Sequence, residues 1–131
     1  MLFHVFHSQA ERIAFGGGDF MELQYCTLNP STTMEELVSP DMVEHWEDDS
    51  LYIYGDDWND FWDAYHEIIT GGTYANLESG ALDPFGINYF SPEQRETVIK
   101  RIKEETPPEY ETLLKWLEAG EPFNGFYVLG V

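Results

Sequence analysis

The sequence is poor in cysteine, in positive charge and in long apolar runs, and each shortage narrows the choice of protein class. Its one cysteine, Cys26, cannot form a disulfide within the chain, which points to a reducing compartment. No stretch approaches the roughly 18 consecutive apolar residues of a membrane-spanning helix. Residues 1–12 lack the basic start and the apolar run of a signal peptide. We therefore expect a cytoplasmic protein that does not bind membranes.

Positive charge is the second shortage. Six lysines and arginines stand against 25 aspartates and glutamates, which gives a formal net charge of −19. Such a surface repels nucleic-acid backbones and attracts basic proteins, so we do not expect direct binding of DNA or RNA. Because 43% of the residues are hydrophobic and 16% are aromatic, the chain still has the means to form a folded core.

Recognisable catalytic and metal-binding motifs are also missing. The sequence has no HExxH and no GxSxG, and its four histidines do not form a ligand set. The DDxxD at 56–60 resembles the magnesium–diphosphate motif of isoprenoid synthases, but those enzymes need a much longer helical barrel and basic residues for the diphosphate. A cation shared by Asp56, Asp60 and Asp63 is chemically possible, yet a straight helix does not wrap its carboxylates around a metal. We predict no catalytic residue, no cofactor and no bound metal.

The most regular part of the sequence is the stretch 51–70, which predicts a short apolar strand followed by an amphipathic helix. Its apolar residues recur at the spacing of one helix side, and its acids recur on another side. A helix with a buried aromatic side and an exposed acidic side is therefore predicted. The apolar set is Trp58, Phe61, Trp62, Tyr65, Ile68 and Ile69, and the acidic set is Asp56, Asp60, Asp63 and Glu67.

The remaining segments predict both strands and helices. Runs at 2–7, 12–15 and 20–28 are interpreted as strands, the last two joined by a glycine-rich turn at 16–19. Short helices are predicted after Thr32 or Thr33 and after Ser39-Pro40, the second with Met42, Val43 and Trp46 inward. Strands at 87–90 and 126–129 enclose two helices, which open with Ser91 and with Thr106 and are interpreted as a helical hairpin. The segment 71–86 is interpreted as a long irregular loop.

This order of elements predicts a single α+β domain over residues 1–131. We expect an antiparallel or mixed sheet of about five strands with helices packed on it, including the C-terminal helical hairpin. No internal repeat or linker divides the chain.

The acidic charge is concentrated in the first two-thirds of the chain. Residues 1–94 hold 18 acids and one base, whereas residues 95–131 hold seven acids and five bases. The plainest interpretation is that acidity serves solubility. The functional interpretation is a surface over residues 44–67 that binds a basic protein. Its predicted members are Glu44, Trp46, Glu47, Asp48, Asp49, Asp56, Asp57, Asp60, Asp63 and Glu67.

Two segments of this surface, HWEDD at 45–49 and YGDDW at 54–58, place aromatic rings beside acids that pair with lysine and arginine. With its size, its acidity, its single-domain α+β composition and its lack of catalytic motifs, the chain resembles the immunity proteins of bacterial toxin systems. That resemblance implies a protein that caps a basic nuclease toxin over or beside its active site. Two alternatives stay open: a nucleic-acid mimic that occupies a DNA- or RNA-binding protein, and a small hydrolase or metal-dependent enzyme.

Overall fold

The computed structural model describes residues 1–16 and 19–130, and within them the fold is built on one antiparallel sheet. Its strands are β1 Phe20–Tyr25, β2 Leu51–Tyr54, β3 Gly72–Thr73, β4 Ser79–Gly80, β5 Ile87–Phe90 and β6 Phe126–Leu129. They lie in the order β2-β1-β6-β5-β3-β4, and all neighbouring pairs are antiparallel. The α+β class is thus confirmed. The sheet has six strands rather than about five: four are predicted strands, and the other two form the hairpin β3–β4 in the predicted loop 71–86.

Five α-helices accompany the sheet in the described ranges. They are α1 Gln9–Gly16, α2 Met34–Leu37, α3 Trp58–Tyr65, α4 Pro92–Glu105 and α5 Tyr110–Ala119, and a 3₁₀ turn at Gly55–Asp57 leads into α3. Local signals explain several of their starts. Ser91 and Gln94 form a reciprocal capping box at the start of α4, and the Thr33 hydroxyl accepts a hydrogen bond from the Glu36 N–H at the start of α2.

Both faces of the sheet are covered, because every side chain of β1 is buried. Met21, Leu23 and Tyr25 point into the main core, which lies between the sheet and helices α3, α4 and α5. The alternate side chains point to the opposite face, where two smaller apolar clusters lie under α1, α2 and the segment 26–50. We call these the helical face and the loop face of the sheet.

Three predictions about secondary structure were wrong. Residues 12–15 belong to α1 instead of a strand, and the run 2–7 makes only a single bridge, His4 to Tyr52. The segment after Ser39 is a turn instead of a helix, since Trp46 adopts a left-handed backbone and its N–H bonds to a distant carboxylate. Residues 17 and 18 of the predicted glycine turn lie outside the described part of the chain.

One charged residue of α4, Arg95, points into the protein. The residue is buried, its Nε donates to the Leu117 carbonyl 2.8 Å away, and its Nη1 pairs with the Glu96 carboxylate at 2.7 Å. The bond to Leu117 joins α4 to α5. The arrangement of these two helices as a hairpin stays a prediction.

Candidate functional site

Helix α3 is held on the helical face of the sheet by its aromatic side. Phe61 and Tyr65 are fully buried and stack on each other at 5.3 Å, and the Phe3 ring meets both edge-on. The Tyr65 hydroxyl donates to the Pro108 carbonyl at 2.8 Å, which ties α3 to the turn between α4 and α5. The periodicity prediction is confirmed for this helix. The α-helix itself ends at Tyr65, and the last two residues of the apolar set, Ile68 and Ile69, are buried in the turn that follows.

The opposite side of α3 lines an open depression that we call the acidic groove. Its first part, of about 460 Å³, lies between residues 1–2, α3 and the turn at 108–109. Its second part, of about 420 Å³, lies between the end of α3 and the end of α4, and the two parts share Asp63 and Ala64. Six carboxylates line the groove: Asp57, Asp60, Asp63, Glu67, Glu105 and Glu109.

The walls of the acidic groove are fixed by hydrogen bonds to the main chain. The Glu109 carboxylate accepts the Leu2 N–H on both oxygens, at 2.9 and 2.8 Å. In the second part, the Arg101 guanidinium donates to the Ile68 carbonyl at 3.2 Å, and the His66 Nδ1 lies 2.7 Å from the Trp62 carbonyl. These bonds hold the walls in place, while the carboxylates of Asp60, Asp63 and Glu67 point into solvent.

The groove concentrates negative charge at the surface. Asp60, Asp63 and Glu67 are three or four residues apart, so their charges repel one another by a few tenths of a kcal/mol per pair. Arg101 is the one arginine or lysine among the residues that line it. A cationic partner relieves this repulsion on binding, and the gain is largest where the partner excludes water.

The other half of the predicted surface, residues 44–49, lies elsewhere. Trp46 packs on the loop face, where its ring stacks on Tyr52 at 5.8 Å and the Arg12 guanidinium lies 3.8 Å from the ring centre. The main-chain N–H of Trp46 donates to the Glu22 carboxylate at 2.6 Å. The ring is therefore engaged within the fold. Because α3 covers the helical face, the sheet separates Trp46 from the acids of the groove.

The acids beside Trp46 lie on the same loop, at residues 44–49. Glu44, Asp48 and Asp49 are exposed, and the Asp49 carbonyl accepts the indole N–H of Trp116 at 2.7 Å. Glu47 is partly buried; its carbonyl accepts the Tyr52 hydroxyl at 3.0 Å. Desolvation, followed by the neighbouring Glu44 carboxylate, raises the pKa of the Glu47 side chain. The predicted surface thus divides into two separate acidic regions.

Glu22 anchors this loop from the middle of β1. Its Oε2 accepts hydrogen bonds from the Trp46 N–H, the Glu47 N–H and the Ser50 hydroxyl, and its Oε1 lies 3.5 Å from the His45 Nδ1. Burial raises the pKa of the Glu22 carboxyl, although the hydrogen bonds oppose that effect. This carboxylate therefore has a structural task.

Sequence reasoning missed two carboxylates of the acidic groove, Glu105 and Glu109. They flank the turn between α4 and α5, about 40 residues from α3 in the sequence. No periodic pattern connects them with α3; the contact between Tyr65 and Pro108 does. Asp56 was predicted with the groove acids but does not line either part of it.

No group of three or more His, Cys, Asp or Glu side chains in residues 1–16 and 19–130 is arranged to hold a metal ion. Among those residues, no helix is both long and apolar enough to cross a membrane. No protein-family model matches the chain, and neither the search of curated proteins nor that of solved structures gives a match.

Proposed function

We propose that this chain is an acidic protein-binding protein of the immunity or antitoxin type, which neutralises a basic toxin domain of the nuclease class by binding it directly. The observation that carries the proposal is the acidic groove, whose two adjoining parts are lined by six carboxylates, four from residues 57–67 and two from residues 105–109. A cytoplasmic location agrees with such a role.

A nuclease has to attract a polyanionic backbone, so its substrate-binding surface is basic. The acidic groove offers that surface a complementary charge, which raises the rate of encounter and makes it dependent on salt. The rigid walls, held by the Leu2 and Arg101 hydrogen bonds, keep the carboxylates in place before the partner arrives. Less conformational entropy is then lost on binding.

The division of the predicted surface restricts the interface. We place the partner on the acidic groove, and we assign Glu44, Glu47, Asp48 and Asp49 to the long-range field that steers it. Trp46 is excluded as an anchor because its ring already packs between Tyr52 and Arg12.

The same geometry gives less support to a nucleic-acid mimic. Helix α3 has eight residues, a length of about 12 Å, which matches only three or four phosphates of one DNA strand. A mimic needs a longer ridge of evenly spaced charges. A toxin inhibitor needs only one patch that blocks the active site or its approach.

The proposal is tested by capture of the partner. The tagged protein is incubated with lysate of its source cell, washed at low and then high salt, and the bound proteins are identified by mass. We expect one basic protein in stoichiometric amount, with a nuclease activity that the chain inhibits. Recovery of salt-labile basic proteins alone would reject the proposal.

A pair of charge reversals locates the interface. The double variant Asp60→Lys, Asp63→Lys changes the groove charge by four, and both side chains are exposed, so the fold should persist. We expect affinity for the captured partner to fall at least 100-fold, since close charge pairs each contribute about 1.5 kcal/mol or more. The matched control is Glu35→Lys, Asp41→Lys, two exposed residues in and beyond α2 on the loop face, which should weaken binding far less. Equal effects of the two double variants would remove the groove as the interface.

A further inference from the structure

A small apolar slot lies beside the N-terminal end of α3. It has a volume of about 190 Å³ and is lined by Met21, Ile53, Tyr54, Gly55, Trp58, Pro84 and Phe85. Met21 and Ile53 belong to the main core and form its floor, so the slot is a gap in the cover of the helical face. Trp58 from α3 and Phe85 from the loop before β5 stand on its walls.

Phe85 is unusual because 80% of its surface is exposed although the loop that carries it is firmly held. The Phe85 N–H donates to the Asp83 carboxylate at 2.9 Å, and the Asn88 side chain bonds both the N–H and the carbonyl of Asp83. Asn88 is itself buried and donates to the Val128 carbonyl in β6. The ring is thus presented to solvent by a rigid support, an arrangement that contributes nothing to the core and suits an interface.

Acidic residues adjoin the lining of this apolar opening in the sequence, although no carboxylate is itself among the lining residues. Asp56 and Asp57 follow Gly55 directly, Asp83 precedes Pro84, and the Asp19 carbonyl accepts the Gly55 N–H at 2.6 Å. No lysine or arginine is among the residues that line the slot. An occupant must therefore combine an apolar stem with positive charge. A second copy of the chain, with its net charge of −19, is repelled.

Resting on the proposed function, we propose that the slot receives one arginine side chain of the basic partner. Its methylene groups contact Met21 and Ile53, and its guanidinium stacks on the Trp58 and Phe85 rings and faces the neighbouring aspartates. Arginine fits better than lysine because its planar, weakly hydrated head stacks on aromatic rings and bonds carboxylates with two N–H groups at once. A purely apolar side chain would make no use of the negative charge beside the slot.

The slot is tested without any natural partner, by NMR titration of the ¹⁵N-labelled protein with the peptide acetyl-Gly-Arg-Gly-amide. We expect saturable shifts of the Trp58 indole N–H and the Phe85 amide, with an affinity at least fivefold above that of acetyl-Gly-Lys-Gly-amide or acetyl-Gly-Leu-Gly-amide. Shifts confined to the acidic groove, equal shifts with all three peptides, or no shift at the slot at 50 mM arginine peptide would overturn the proposal.

The variant Phe85→Ala removes one wall of the slot and, because the ring is exposed, should leave the fold intact. We expect it to weaken the arginine peptide roughly tenfold. The matched control is Ile13→Ala, which removes another exposed apolar side chain, from α1. If the captured partner binds Phe85→Ala as tightly as the wild type, the slot is refuted while the proposed function stands. If no basic partner is captured, the proposed function fails, but the peptide titration still shows whether the slot binds an arginine side chain.

Discussion

The buried Glu22 carboxylate makes stability depend on pH in a way that one isosteric substitution reveals. Burial raises its pKa, so the folded protein binds this proton more tightly than the unfolded chain does. The stabilisation that comes from this tighter proton binding is fully present below the ordinary pKa of glutamate. It is lost as the pH rises through the raised pKa of the folded protein. At pH 8 the folded protein holds a charged carboxylate that would be more stable in water.

Glu22→Gln removes the charge and keeps the shape. Its amide oxygen still accepts from the Trp46 N–H and the Ser50 hydroxyl, and its NH₂ group takes the place of Oε1, opposite the His45 Nδ1. We expect the free energy of unfolding at pH 8 to equal or exceed that of the wild type, by up to about 2 kcal/mol. Glu22→Ala instead leaves the Trp46 N–H, the Glu47 N–H and the Ser50 hydroxyl without their acceptor and should be destabilised by about 3 kcal/mol or more.

The assay is urea unfolding followed by tryptophan fluorescence at several values between pH 4 and pH 8. The advantage of Glu22→Gln over the wild type should grow as the pH rises and should shrink to about zero near pH 4, where Glu22 is protonated. Glu35→Gln, which removes an exposed charge, controls for the general benefit of lowering a net charge of −19. A difference between Glu22→Gln and the wild type that stays constant over this range would refute the reasoning.

Three further substitutions test the packing that positions the site, each by chemical denaturation. Tyr25→Phe removes the hydroxyl that donates to the Trp116 carbonyl at 2.6 Å and should lose about 1 to 2 kcal/mol, whereas no loss would mean that water replaces the bond. Ser91→Ala removes the cap of α4 and should lose about 1 kcal/mol; an unchanged midpoint would show that the cap is dispensable. Gly125→Ala should lose more than about 2 kcal/mol, because its backbone is left-handed and a Cβ would collide with the Phe90 carbonyl; wild-type stability would contradict this geometry.

The sequence by itself determined the elements whose signals are local. The amphipathic period after Trp58 and the cap at Ser91 each act within a few residues, and the structure has α3 and α4 where these signals predict them. One local signal went unused. Ser8 and Glu11 cap the start of α1, where the Ser8 hydroxyl accepts the Glu11 N–H and the Glu11 carboxylate accepts the His7 N–H.

Only the tertiary structure decided how the acids are distributed. Residues 44–49 and 56–67 are close in sequence, but β2 lies between them, and the chain crosses from the loop face to the helical face of the sheet along that strand. Glu105 and Glu109 are distant in sequence, yet the Tyr65–Pro108 hydrogen bond brings their turn to α3. The acidic groove and the apolar slot depend on such long-range packing. Composition fixes how much negative charge a chain carries, whereas packing fixes where that charge meets a partner.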